Sequence, residues 1–239
     1  MRSAGRRSLL AALAAAPLLA QPPAQAGSFD DFFQAIRRDD PRAITALIRR
    51  GFDPNTIDEQ GRSGLILAVQ SDCLRAADAL LAAPGIQVES RNRDDESPLM
   101  LAALHGHLEL VKTLIARDAD VNKPGWAPLH YAVTGDQADQ LAIARLLLEN
   151  YAFIDAQSPN GTTPLMMAAT YGSEGAVRLL IEEGADPLIR NQQGLTALDF
   201  ARRSDRRDVI EAIDRATRDA ARKAAADKAR AAAALPPPR

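Results

Sequence analysis

Asp94-Asp95-Glu96-Ser97-Pro98-Leu99-Met100-Leu101-Ala102-Ala103-Leu104-His105-Gly106-His107-Leu108-Glu109-Leu110-Val111-Lys112-Thr113-Leu114-Ile115-Ala116-Arg117-Asp118-Ala119-Asp120-Val121-Asn122 is the stretch whose reading decides the fold. It reads as a turn, two short amphipathic helices and a second turn. Neither helix can bury its apolar face alone, so the unit is stable only against copies of itself.

The copies are present. The closing segment recurs as Gly51-Phe52-Asp53-Pro54-Asn55, Gly85-Ile86-Gln87-Val88-Glu89, Asp118-Ala119-Asp120-Val121-Asn122, Tyr151-Ala152-Phe153-Ile154-Asp155 and Gly184-Ala185-Asp186-Pro187-Leu188. From Asn55 to Leu188 the steps are 34, 33, 33 and 33 residues. The opening segment recurs in phase as Ser63-Gly64-Leu65-Ile66, Ser97-Pro98-Leu99-Met100, Ala127-Pro128-Leu129-His130, Thr163-Pro164-Leu165-Met166 and Thr196-Ala197-Leu198-Asp199. A period of about 33 with a T-P-L-H-x-A-like opening resembles the ankyrin-repeat family, from about Phe29 to about Ile213.

That resemblance implies an all-α solenoid of about six helix-turn-helix units with short β-turn fingers, capped at both ends. Residues 27–57 then form an N-terminal capping repeat, 58–190 four repeats, and 191–214 a C-terminal capping repeat. Residues 215–239 are an Ala- and charge-rich helical extension ending in the Pro-rich tail Leu235-Pro236-Pro237-Pro238-Arg239. In the first cap, Asp40 is the expected N-cap and Pro41 the first helical residue. Several basic residues there lie off the apolar face, as a terminal repeat requires.

The first 26 residues have a different pattern. Arg2, Arg6 and Arg7 precede the apolar run from Ser8 to Ala20, and Ala24-Gln25-Ala26 follows. This is the order of a cleavable secretory signal. Both the general and the twin-arginine export routes accept such a leader. Cleavage after Ala26 leaves 26 basic against 31 acidic residues, a net charge of −5. The expectation is a periplasmic protein with no membrane insertion after cleavage, monomeric when alone.

Composition narrows the chemistry. A hydrophobic content of 46% with 4% aromatics suits helices packed through Leu, Ala, Ile and Val. A single cysteine, Cys73, permits neither an intrachain disulfide nor a thiolate metal cluster. The acidic balance argues against a nucleic-acid partner. There is no Gly-rich phosphate loop after a strand, no nucleophile elbow and no zinc-ligand spacing. His105-Gly106-His107 suggests a metal pair, but no third ligand or carboxylate is spaced along the sequence to complete a site. The reading is therefore non-catalytic, with no cofactor and no metal.

The fourth unit departs from the pattern. It gains three residues near Gly135-Asp136-Gln137 and loses three before Pro128, leaving Lys123-Pro124-Gly125-Trp126 as a truncated finger. Trp126 is either an interface hot spot or a plug over its own shortened finger. His130 is read as a structural hydrogen-bonder.

By resemblance, ankyrin solenoids grip partner proteins with their finger tips and inner helices. Carrying the variable positions onto this chain gives Glu59, Gln60 and Arg62, then Arg93, Asp94, Glu96, Leu104 and His105. In later units it gives Pro159, Asn160, Thr162, Thr170 and Tyr171, then Gln192, Gln193 and Leu195. The favoured protein-binding set is Arg93, Asp94, Glu96, Leu104, His105, Trp126, Asn160, Thr162 and Tyr171. The expected function is a protein–protein interaction module, an adaptor or protector of another protein in the cell envelope. The alternative is an immunity protein that neutralises a cognate toxin by tight one-to-one binding.

Overall fold

A hydroxyl side chain placed just before a short apolar run is the local device that starts most of the inner helices. Ser63, Ser97, Thr163 and Thr196 each accept a hydrogen bond from the backbone N–H three residues on, at 3.2–3.4 Å. Ala127 lacks that oxygen. There His130 reaches back instead, its Nδ1 accepting from Ala127 N–H at 3.1 Å. Asp40 caps as expected, accepting from Arg42 N–H and Ala43 N–H.

The computed structural model describes residues 23–135 and 138–233. Among these residues the chain is all-helical, with twelve helices and a single isolated bridge between Ile57 and Ser63. The helices pair as α1 (Pro23–Arg37) with α2 (Pro41–Arg49), α3 (Gly64–Gln70) with α4 (Leu74–Leu81), and α5 (Pro98–Leu104) with α6 (Leu108–Ile115). Next come α7 (Pro128–Ala132) with α8 (Ala138–Glu149), α9 (Pro164–Tyr171) with α10 (Glu174–Glu182), and α11 (Ala197–Arg203) with α12 (Arg207–Ala233). This is the expected six-unit solenoid.

Gly172 between α9 and α10 stays extended, with φ of −81°, but at most other turns the chain enters the left-handed region. It does so between the helices at Asp39, Asp72, Gly106 and Asp205, and after the outer helix at Gly51, Gly85, Asp118, Tyr151 and Gly184. Short polar residues and glycine tolerate this conformation, and a glycine there is a common helix stop. Tyr151, with φ of 64°, is the costly exception.

The inner helices α1, α3, α5, α7, α9 and α11 stack in sequence order as one layer. Leu65, Leu99, Leu129 and Leu165 are wholly buried in it, with Ala68, Ala102, Ala132 and Ala168 three residues later. These alanines let neighbouring helices approach closely. The outer layer repeats Leu80, Leu114, Leu147, Leu180 and Ile213 at its buried positions.

A polar ladder runs beside this core. Asn122 donates from Nδ2 to Tyr151 O at 2.8 Å, and its Oδ1 accepts from Phe153 N–H at 2.7 Å. Asn55 makes the same pair of bonds to Gly85 O and Gln87 N–H. Glu89 and Asp155 accept the corresponding N–H groups of Asp120 and Asp186. Burial raises both carboxyl pKa values above the ordinary range, which those N–H bonds partly offset.

The expected leader lies outside the described residues except for Pro23–Ala26, which begin α1. The tail Leu235–Arg239 and two residues of the fourth-unit insertion, 136 and 137, also lie outside them. Helix α12 runs without a break across positions 214 and 215, and residues 221–230 are exposed throughout. Among the described residues no helix is long and apolar enough to cross a membrane.

Two substitutions test these local rules in urea unfolding. Tyr151 is 86% exposed, so Tyr151→Gly removes backbone strain without losing packing and should stabilise the chain by about 1 kcal/mol. Asn122→Ala removes two ladder bonds and should destabilise it by about 1–2 kcal/mol.

Candidate functional site

The irregular fourth unit shapes the inner-helix side of the solenoid. Helix α7 has five residues where α5 has seven and α9 has eight. The truncated finger turns at Gly125, with φ of 83°, and brings Trp126 back over α7. The Trp126 ring meets His130 edge to face, with centroids 5.2 Å apart and planes at 74°. Together with Leu104, Tyr131, Thr134 and Met167 these two residues line a largely apolar recess of about 210 Å³. Trp126 therefore packs on its own unit, as the plug reading expects, and also forms one wall of an open recess.

The walls are held by polar contacts. Tyr131 Oη–H donates to Glu96 Oε1 at 3.1 Å, and burial, with the Glu96 charge adding to it, pushes the phenol well above its usual pKa. Gln140 Nε2–H donates to Leu104 O at 2.8 Å, tying α8 to the end of α5. Lys123, nearly buried at the base of the finger, forms an ion pair with Asp95 of the preceding finger and donates to Pro124 O at 3.2 Å.

Eight of the nine predicted binding residues fall into three groups. Leu104 and Trp126 come together in the recess, and Tyr171, 63% exposed, stands at the end of α9. Arg93, Asp94 and Asn160 are exposed on the fingers, although Arg93 donates to Glu59 O across two units at 2.8 Å. Glu96 and His105 are half-buried and already bonded, to Asn92 and Tyr131 and to Asp72 respectively.

Thr162 is a correction. It is 4% exposed, its N–H donates to Ser158 Oγ at 3.0 Å, and its carbonyl accepts from both Ser158 N–H and His130 Nε2–H. It locks the finger to His130 and presents no free surface.

A second correction concerns His105 and His107. The missing carboxylate is supplied from the preceding unit: Asp72 Oδ1 lies 3.1 Å from His105 Nδ1 and 2.9 Å from His107 Nε2. Tyr131, Met167 and Asp72 were not singled out by motif. Asp72 could have been found from the period, since it stands 33 residues before His105. Cys73, beside it, is buried, with its Sγ–H donating to Ser71 O. Burial, then the nearby Asp39 carboxylate, raises the pKa of its thiol, the opposite of an activated nucleophile.

Comparison with known proteins places this geometry. The family described as ankyrin repeats (3 copies) matches in overlapping segments, residues 32–124, 76–158 and 140–215. The p105 subunit of nuclear factor NF-kappa-B from Mus musculus is 36% identical over 160 residues, covering 63% of this chain and 16% of that protein. The B-cell lymphoma 3 protein homolog of Mus musculus is 30% identical over 169 residues, covering 68% of this chain and 37% of the relative. The chain thus spans well under half the length of these curated relatives.

Among solved structures, an ankyrin repeat domain from Acinetobacter baumannii AYE superposes with a TM-score of 0.66 at 23% identity. The match covers 77% of this chain and 96% of that one. One chain of a Bdellovibrio bacteriovorus predatory endopeptidase in complex with an immunity protein gives 0.67 at 25% identity, covering 77% and 97%. The ankyrin repeat domain of Bcl-3 gives 0.63 at 31% identity, covering 77% and 81%.

His130 supplies a pH test of the recess floor. Its ring is wholly buried, with Nδ1 accepting from Ala127 N–H and Nε2–H donating to Thr162 O, so only the neutral tautomer satisfies both bonds. Burial lowers its pKa below the ordinary value of about 6.5. The unfolded chain then binds more protons than the folded one between the two values. Its contribution is complete above about pH 6.5 and is lost as the pH falls below that toward the folded-state pKa. Unfolding measured from pH 7.5 to 5 should show this decline, with a shallower slope in His130→Asn.

Proposed function

The chain belongs to the ankyrin-repeat family, and we propose that it is a non-catalytic binding protein of the cell envelope that grips one partner protein through its finger and inner-helix side. The observation that carries this reading is the recess walled by Leu104, Trp126, Tyr131 and Met167; Tyr171, four residues after Met167 on α9, is exposed. Aromatic side chains around a central apolar pocket are the usual anchors of protein interfaces. Arg93, Asp94 and Asn160 are exposed polar residues on the fingers, the residue types suited to the border of an interface. The envelope setting rests on the leader, with Arg2, Arg6 and Arg7 before an apolar run and Ala24-Gln25-Ala26 after it.

One observation favours a more specific form. Among the structural matches is a chain from an endopeptidase–immunity protein complex, matched over 97% of its length. This supports a second reading, in which the protein shields the cell from a cognate enzyme by tight one-to-one binding.

Both forms are tested together. Mature protein starting at Gly27 is used to capture partners from periplasmic extract, beside Trp126→Ala and Tyr171→Ala baits matched by circular dichroism. The expected result is one stoichiometric partner whose affinity falls roughly 30-fold or more in Trp126→Ala, as for an interface hot spot. Equal retention on all three baits would overturn the choice of surface. If the captured partner is an enzyme and stoichiometric addition abolishes its activity, the immunity form holds; unchanged activity supports the adaptor.

A further inference from the structure

The turns between inner and outer helices of the second and third units bring three metal-ligating side chains to one place. Asp72, in the left-handed conformation at φ 54°, ends the α3 side, while His105 and His107 flank Gly106 between α5 and α6. His105 Nδ1 and His107 Nε2 both point at the same carboxylate oxygen, at 3.1 and 2.9 Å. All three donor atoms lie within 4.8 Å of one another. We propose that Asp72, His105 and His107 form a binding site for a late first-row divalent cation of the Zn2+ class, clamping the second unit to the third.

The spacing suits one ion. Nitrogen and oxygen ligands at about 2.0–2.2 Å from Zn2+ stand roughly 3–3.5 Å apart. The two nitrogen–oxygen distances fall near this range and the two nitrogens lie within 4.8 Å of each other, so the rings would close on a shared centre. Two imidazoles with one carboxylate select Zn2+ and its transition-metal neighbours over Ca2+ and Mg2+, which take oxygen ligands. Three protein ligands leave coordination positions open. The Asp72 side chain is 67% exposed, so water can fill them.

The proton balance also closes. An ionised carboxylate only accepts hydrogen bonds, so both ring nitrogens facing Asp72 carry protons in the metal-free arrangement. The cation would replace those two protons, with His105 moving its proton to Nε2 and His107 moving its proton to Nδ1. Each ring then ligates as an imidazole with one ring nitrogen free of its proton. The rings are also partly immobilised, with side chains only 28% and 16% exposed.

The equivalent turn one unit earlier works differently. There Asp39 Oδ1 accepts from Ala76 N–H at 2.7 Å and Oδ2 accepts from Arg75 Nε–H at 3.0 Å. A backbone amide and a guanidinium make that contact a structural brace with no metal ligand in it. Asp72 instead faces two imidazoles.

The test uses the full chain without a polyhistidine tag, stripped by a chelator and titrated with Zn2+ in a calorimeter, with Co2+ as the visible-absorption probe. Expected are one saturable ion per chain and a rise in melting temperature. In Asp72→Asn, His105→Gln and His107→Gln, affinity should fall by more than the roughly 10- to 100-fold that loss of a supporting shell residue costs. Asn tolerates the left-handed backbone at position 72, so that variant keeps the turn. Cys73→Ala should bind as the parent does. Nitrogen NMR of the unmodified protein gives a readout that needs no variant: Zn2+ should shift His105 Nδ1 and His107 Nε2, and leave His130 unmoved. Absence of saturable binding, equal binding by the histidine variants, or loss in Cys73→Ala would each overturn the site.

Discussion

No helix pair in this chain is thick enough to bury its own apolar face, and everything else follows from that constraint. Each pair must cover its neighbour, so the same positions recur at steps of 33 or 34. Leu80, Leu114, Leu147 and Leu180 are the outer-layer expression of this register. The Asn55, Glu89, Asn122 and Asp155 ladder is its polar expression, closing each unit on the backbone of the next. In such a one-dimensional array, stability is a sum of unit and neighbour terms. A change at one position is therefore felt first at one contact.

The fourth unit shows how function enters without breaking the register. Three residues move from the finger to the turn between its helices, and the unit keeps its length of 33. The stack continues: Leu129 and Leu147 are wholly buried in their usual places, and Ser173 N–H of the fifth unit bonds Gly135 O. What changes is the surface. The shortened α7 and finger carry a recess lined from α5, α7 and α9, with Trp126 as one wall.

Much of this was legible in the sequence. Periodicity located the helices and the odd unit, because repeated local chemistry and repeated packing agree there. The binding surface was read less well. The resemblance implied an accessible Thr162, but its carbonyl bonds the buried His130 and the residue lies inside. The Asp72 carboxylate was invisible to a search for ligands spaced along one segment, since it is 33 residues away in sequence and one unit away in space. In a solenoid, residues separated by one period are neighbours, and chemistry must be sought across the repeat as well as along it.

That geometry also links the two sites. Leu104 lines the recess, and His105, the next residue, reaches back to Asp72. Gln140 fixes the Leu104 carbonyl from the other direction. The end of α5 is thus held between the second unit and the fourth, and Leu104, 38% exposed, is aimed by both. A cation joining Asp72 to His105 and His107 would stiffen one of those two anchors. Because ordering a loose element is part of the cost of binding, a pre-fixed Leu104 would bind a partner with less entropy to lose. The clamp and the recess are then neighbouring consequences of the same stacking.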